Sequence, residues 1–402
     1  MDVTIQIFTG NFLETAVSYE LVEKKLNSVL SRIPVNKVIM GWSINKELYS
    51  KTAEFLAKRN VDFYLWFPVF SETSALKELT SLTDIRGQKL KCRSDEEFSF
   101  CCPNPQNVKK ILNIFEREFS SVYFNGVFLD RIRYPSFANS HGSAGVLSCF
   151  CPECSAIYKR ENFNIENIKA ALSVPESEIF GITGYLGNGK YIFKNTALSV
   201  FFRLKAKVIY KSMEQICKFF RDKEYGIGFD VFAPFLSPFV GQDLVSLSGL
   251  CDFIKPMMYR VTNAPAGLPF ETESLLRQTG REDSSLSMSA QKQNFYKLLG
   301  INSSPQHETE CENSMIDKKS FNLEFAAKEL QNLSAVSACP VYAGMEINRI
   351  KDFAETDPEY IEETVNAYAQ TGIQGLALSW NLLDMPEENL AKTADLMANL
   401  NV

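Results

Sequence analysis

Residues 127–135 read VFLDRIRYP, a strand-length apolar run that holds an aspartate, Asp130, before two arginines, a tyrosine and a proline close it. The run is one of a set. VTIQIFTG (3–10), KVIMGWS (37–43), VDFYLWFPVF (61–70), GIGFDVFAP (226–234), DFIKPMMY (252–259), VYAGMEINR (341–349) and GLALSWNLL (375–383) have the same make-up. Between them stand segments such as YELVEKKLNSVLSRI, KELYSKTAEFLAKRN and ALSVFFRLKAKVIYKSMEQICKFFRDK. Their apolar residues fall three and four apart, the period of an amphipathic helix. Near-continuous apolar strands alternating with helices are what a parallel sheet requires when both its faces are covered. Eight such repeats predict an α/β chain folded as a closed (β/α)8 barrel, the TIM-barrel architecture. A doubly wound open sheet is the runner-up. It loses support because FTGNF, after the first run, offers one glycine where a dinucleotide-binding turn needs several.

Three connections exceed the few residues usual between a strand and its helix. The expected insertions span 71–106, 135–195 and 261–325, after strands three, four and six. All follow strand C-termini, where this architecture builds its active site. The third is rich in Ser, Gln and Asn (REDSSLSMSAQKQNF, INSSPQHETECENS) and reads as a solvated insertion, with a mobile lid as the alternative. The whole chain, 1–402, reads as one barrel domain, and 45% hydrophobic residues suffice for a core of that size. A net charge of -6 with acids and bases interspersed predicts no nucleic-acid partner. No run approaches the ~20 apolar residues that span a bilayer, so no membrane partner is expected. Most of the ten cysteines stand singly in apolar contexts, as Cys217 and Cys251 do, which points to a reducing compartment and makes the cytoplasm the expected location. The sequence is silent on oligomeric state.

Strand side chains alternate between faces, so Phe128, Asp130, Ile132 and Tyr134 share one, and Asp130 is expected to point into the barrel mouth. Burying its carboxylate ionised and alone would be costly, so it needs partners or a proton. Arg131 and Arg133 fall on the opposite parity and are not its natural pair. Two further strands repeat the pattern: Asp230 lies in line with Gly226 and Gly228, and Glu346 with Gly344, each acid after a glycine expected to leave space inside the barrel. Three acids converging on one mouth predict a catalytic set, with Asp130 and Glu346 leading and Asp230 as a replacement or an orienting group. A structural salt bridge is the competing reading for any one of them. Trp42, Trp66 and Trp380 fall late in strands two, three and eight and offer flat faces for pyranose rings. Helix-to-barrel packing competes with that role, most of all for Trp66. Lys255 and Tyr259 share a parity and are candidate partners of substrate hydroxyls, as are Arg133, Tyr134, Asn348 and Asn381.

CFCPEC places Cys149, Cys151 and Cys154 at a spacing that wraps a tetrahedral ion, and CCP supplies Cys101 and Cys102 upstream. Four thiolates leave no open position. The expected group is therefore a structural zinc that pins the loop after strand four against the loop after strand three. An iron–sulfur cluster uses the same ligand type, and exposed thiols or a disulfide are the plainer alternatives. Counting does not decide between Cys101 and Cys102. His141 reads as a solvated loop residue or a substitute ligand, and no organic cofactor is expected.

At these residues the chain resembles known barrel enzymes. The C-x-C-x2-C run, with a cysteine upstream of strand four, is similar to the zinc-bearing loop of glycoside hydrolase family 42 β-galactosidases, and CFCPECSAIYKREN is similar to the segment leading into their next helix. Those enzymes carry an Asn-Glu pair at the end of strand four, where this chain has LDRIRYP. That strand looks more like the FDYxRFP-type segments of uncharacterised barrel proteins assigned to the glycoside hydrolases, and GIGFDVFAPFLSPFVGQDLVSLSGLCDFIKPMMY is similar to a segment recurring among them. The resemblance implies a sugar-cleaving barrel in which Asp130 is catalytic and Glu346 stands where many retaining β-glycosidases keep their nucleophile. The expected function is a glycoside hydrolase that cleaves an oligosaccharide or glycan with paired carboxylates. A non-catalytic carbohydrate-binding barrel is the competing class, and a barrel of unrelated chemistry with a redox centre at the cysteines is a third.

Overall fold

In the computed structural model the eight apolar runs form β1 (Asp2–Phe8), β2 (Lys37–Gly41), β3 (Asp62–Pro68), β4 (Gly126–Asp130), β5 (Gly226–Phe232), β6 (Phe253–Met257), β7 (Tyr342–Glu346) and β8 (Gly375–Ser379). They pair in chain order, all parallel, and β8 closes on β1. The structure describes residues 1–10, 17–72, 79–90, 99–139, 141–279, 287–301 and 320–400. After the strands come, in turn, α1 (Tyr19–Leu30), α2 (Lys46–Ala57), α3 (Pro105–Glu118), α4 (Thr196–Arg221), α5 (Leu244–Ser248), α6 (Leu323–Ser334), α7 (Pro358–Ala369) and α8 (Glu387–Leu400). Side chains fix where these helices begin: Asn45, Asn104, Asn322 and Asp357 each accept a first-turn backbone N–H, a cap worth ~1 kcal/mol.

Residues 69–104, 131–195 and 258–322 carry the chain from β3 to α3, from β4 to α4 and from β6 to α6. The last holds two helices, Leu268–Thr279 and Met288–Leu299, which bury Leu275, Leu276, Phe295 and Leu299. That part of the stretch expected to be solvated is thus packed, because apolar residues are interleaved with its serines and glutamines. The INSSPQHETECENS segment lies outside the described residues.

Inside the barrel, the lower layer is aromatic. Phe253 stacks between Phe128, with ring centroids 5.9 Å apart, and Tyr342, at 5.0 Å, while Tyr64 meets its edge at 5.7 Å. Glycines make room for this plug. A Cβ on Gly228 would sit 2.2 Å from the Phe253 ring, and one on Gly344 would sit 2.5 Å from Cε of Lys255. The space these glycines leave is therefore filled by Phe253 and by the stem of Lys255 rather than held open. Above the plug the inner face turns polar, with Gln6, Asp130, Asp230, Lys255, Glu346 and Ser379 all buried.

β4 ends at Asp130 because Arg131 turns the chain into the left-handed region, at φ +53°. Strand alternation stops there, so the expected shared face of Asp130, Ile132 and Tyr134 does not extend past the aspartate.

Candidate active site

The register of three adjacent strands sets the acids. Phe128 pairs with Gly228, which brings Asp130 and Asp230 to the same level on β4 and β5, and Asp230 pairs with Lys255 on β6. Asp130 accepts from Trp66 Nε1 at 3.0 Å and from the Arg131 backbone N–H at 2.5 Å. Both oxygens of Asp230 accept from Lys255 Nζ, each at 3.1 Å, and the same ammonium lies 2.5 Å from Tyr259 Oη. Burial pushes the Asp230 carboxyl up to about 7 against the pull of Lys255, and the nearby charge of Asp130 adds to the rise. Burial likewise lowers Lys255, against the attraction of Asp230. Arg133 is buried beside them and donates through Nη1 to the Tyr134 carbonyl at 3.0 Å and to Asn139 Oδ1 at 3.2 Å. Desolvation brings its guanidinium down to about 10, although Glu271, Asp130 and Asp230 all favour its charge.

Glu346 is placed differently. Its Oε1 accepts from the backbone N–H groups of Val261 at 2.6 Å and Thr262 at 3.1 Å, so it ties down the start of the β6–α6 connection. Burial raises its affinity for a proton, and the Val261 amide opposes the rise. The structure thus sets Asp130 beside Asp230 and turns Glu346 to these amides. The three still share one neighbour: Tyr259 is held protonated, well above the ordinary phenol range, by burial and by the charges of Asp230, Glu346 and Asp130. Asp130 is the most accessible of the acids, at 8% exposure against 3% for Asp230 and 0% for Glu346.

Trp66 belongs to the barrel interior, with Trp42 and Phe8, and not to the helix side, because it shares the inner parity of Tyr64. Trp42 meets Trp66 edge-on at 6.2 Å, and the Arg131 guanidinium lies 4.8 Å above the Trp42 ring. These rings and Asp130 form one wall of the mouth. Trp380 is half-buried, and its backbone N–H donates to Asn348 Oδ1 at 2.5 Å. Asn348 also donates to the Asn381 carbonyl, while Asn381 Oδ1 receives the Phe8 N–H, so both amides brace the ends of β7, β8 and β1. Tyr134 packs away from the acids, with Lys205 Nζ 4.4 Å above its ring.

The cysteines gather into a second centre. The sulfurs of Cys102, Cys149, Cys151 and Cys154 all lie within 4.8 Å of one another, buried, and Cys102 is 3.3 Å from both Cys151 and Cys154. Cys101 is not in the group, which settles the choice that counting left open. A tetrahedral ion with metal–sulfur bonds of ~2.3 Å spaces its sulfurs ~3.8 Å apart, so these four residues can hold a single metal ion. Backbone N–H groups of Thr83 and Cys154 point at Cys149 Sγ and Cys151 Sγ, at 3.2 and 3.4 Å. Hydrogen bonding from Cys102 holds the Cys149 thiol well below its ordinary range. His141 lies outside the group.

Several buried charges escaped the sequence reading, Glu271 and Lys205 among them. Glu271, on the Leu268–Thr279 helix, accepts from Ser136 Oγ at 2.9 Å and the Ala266 N–H at 2.9 Å and faces Arg133; nothing in FETES announces that contact. Lys205 had a visible signal, since it follows Phe201 by one helical turn on the buried stripe of α4. A cavity of about 640 Å³ also opens beside α4, between the hairpin containing Tyr191 and the residues after β5, and none of the three acids lines it.

The fold and mouth together define a (β/α)8 barrel whose inner rim carries acids, buried cations and indoles. No family model matches the sequence, and no curated protein matches it. Among solved structures the chain is similar to the glycoside hydrolase domain of PgaB (BpsB) from Bordetella bronchiseptica, at 12% identity over 100% of this chain and 98% of that one, with a TM-score of 0.55. It also superposes on a Group IV chitinase from Ostrinia furnacalis, at 8% identity over 99% and 100% of the two chains, with a TM-score of 0.47. For the glycoside hydrolase domain of PelA from Pseudomonas aeruginosa the values are 9%, 95% and 96%, with a TM-score of 0.40. The first likeness is one of fold alone, and the other two are too loose to carry an argument. No helix among the described residues is long and apolar enough to cross a membrane.

Proposed function

We propose that the chain is a glycoside hydrolase that works at the Asp130–Asp230 pair. The observation that carries this reading is the register that sets the two acids side by side on adjacent strands. Neighbouring strands lie ~4.8 Å apart, which puts the two acids within reach of a single glycosidic bond, as paired-carboxylate catalysis requires. Asp130 accepts two N–H groups, which fix its carboxylate at the mouth, and serves as the nucleophile. Asp230, raised to about 7, supplies the proton to the leaving oxygen. Attack by the Asp130 carboxylate on the anomeric carbon forms a glycosyl ester as the glycosidic C–O bond breaks, and water later cleaves that ester. Asp230 then takes a proton from the water that releases the sugar. Trp380, the half-buried indole, provides the stacking surface, with the buried Trp42 and Trp66 backing Asp130, and Glu346 positions the β6–α6 connection.

One observation favours a second reading, a non-catalytic carbohydrate-binding barrel: both oxygens of Asp230 are engaged by Lys255. Hydrolysis of a panel of aryl glycosides and oligosaccharides separates the two. The enzyme reading expects Asp130→Asn to lower turnover by about 100- to 10,000-fold while ligand binding persists. Binding without turnover in the native chain, or full turnover in the variant, sinks it.

The four cysteines are proposed to hold a structural zinc. The set is closed, with no position for substrate, and it joins Cys102, ahead of α3, to Cys149, Cys151 and Cys154 in the connection that follows Arg133. Zinc there would hold that connection in place, and catalysis would not pass through it.

A further inference from the structure

Lys205 is fully buried in α4, and among the described residues no carboxylate forms an ion pair with it. Its Nζ donates to two backbone carbonyls, Val146 O at 2.5 Å and Phe239 O at 3.5 Å, and lies over the Tyr134 ring. A lysine buried this completely ordinarily has an anion beside it. Burial pushes its ammonium well below the ordinary lysine range, and the groups that favour its charge against that pressure are Cys149 and Cys154.

The contacts of α4 show why. Val146 stands three residues before Cys149, and Phe201, one turn before Lys205, stacks on Phe150 at 5.2 Å with the rings 2° from parallel. Further along the helix, Ser212 Oγ donates to the carbonyl of Pro103, the residue after Cys102, at 2.9 Å. One helix therefore backs both halves of the cysteine centre, with its buried cation on the side of the Cys149 loop. Four thiolates around a divalent ion carry a net charge of about -2, and such a charge inside a protein needs compensation.

We propose that Lys205 is the internal counter-ion of the four-cysteine metal centre: it offsets the excess negative charge of a tetrathiolate site without itself binding the ion. The inference rests on reading the cysteines as a metal centre. Lys205 is a positioning residue, acting on the ion through the field it sets at the sulfurs.

The test is the affinity of the full chain for Zn2+, measured by competition with a chromophoric chelator, in the native protein and in Lys205→Met, Lys205→Gln and Lys205→Arg. The two neutral variants should bind Zn2+ about 10- to 100-fold more weakly, the scale of a lost outer-shell partner, while Lys205→Arg stays close to native. Their Co2+ complexes should keep the sulfur-to-metal charge-transfer bands of four thiolates. Added Zn2+ should also raise Tm less in Lys205→Met than in the native chain, whereas a lysine that only packs would leave that increment unchanged. Met and Gln differ in packing, so either one that folds suffices. Native-like Zn2+ affinity in a folded neutral variant overturns the counter-ion role. A native chain that binds neither Zn2+ nor Co2+ overturns the metal reading beneath it.

Discussion

Lys255→Met would leave the Asp230 carboxylate buried without its cation. Two unit charges 3.1 Å apart attract by about 5 kcal/mol at an effective dielectric constant of ~20, and removing one partner of a buried pair costs ~3–5 kcal/mol. Protonation of Asp230 caps that cost: with the native carboxyl at about 7, the variant can lose only about 1.4 kcal/mol of pairing at pH 8, so with a lost hydrogen bond of ~1 kcal/mol it should be less stable than the native chain by ~2–2.5 kcal/mol. The sign with pH follows from Asp230, whose native affinity for a proton is raised from 3.8 to about 7. The stability this group contributes is complete below its unfolded value and is lost as pH rises through about 7. Without Lys255 the group is raised further, so the loss in the variant continues to higher pH. At pH 5 Asp230 is protonated in both chains and the gap should shrink to ~1 kcal/mol, the scale of a lost hydrogen bond. Equilibrium unfolding in urea at pH 5 and pH 8 reads this directly, and Lys255→Met combined with Asp230→Asn should recover most of the loss at pH 8. Equal destabilisation at the two pH values, or a double variant no better than the single one, would refute the pairing argument.

Two further outcomes are expected. Burial raises Glu329 on α6 from 4.5 to about 7, where Tyr185 Oη donates to it at 2.5 Å; its contribution is complete below about 4.5 and fades as pH rises through about 7, so the native chain loses up to roughly 3 kcal/mol across that window. Glu329→Gln should flatten this part of the stability–pH curve, and an unchanged curve counts against the assignment. Cys102→Ser should abolish stoichiometric metal uptake by elemental analysis while Cys101→Ser retains it, since only Cys102 joins the four-sulfur group; the reverse result would move the centre.

The barrel was legible because its strands are near-continuous apolar runs, and a two-residue alternation within VFLDR or GIGFD is enough to choose the inner face. Beyond the strands the same logic failed at identifiable places. Arg131 adopts a left-handed conformation with nothing in its residue type to announce it, which moved Tyr134 from the mouth to the cysteine centre. Alternation gave Glu346 its inward face but not its partners, the Val261 and Thr262 amides, because backbone hydrogen bonds in a connection have no sequence signature. Pairing of Asp130 with Asp230 depends on the β4–β5 register, which the two runs do not encode separately. The cysteine spacing identified three members of the centre, and the fourth needed the three-dimensional approach of the loop before α3.

The stem of Lys255 lies where a side chain on Gly344 would have to go. The acid–base character of Asp230 therefore depends on an uncharged residue two strands away whose contribution is to be absent. Among descendants of this chain, a methyl group gained at position 344 would crowd the ammonium off its carboxylate while every ionisable residue stayed the same. Surveys that compare titratable positions alone would miss such a change.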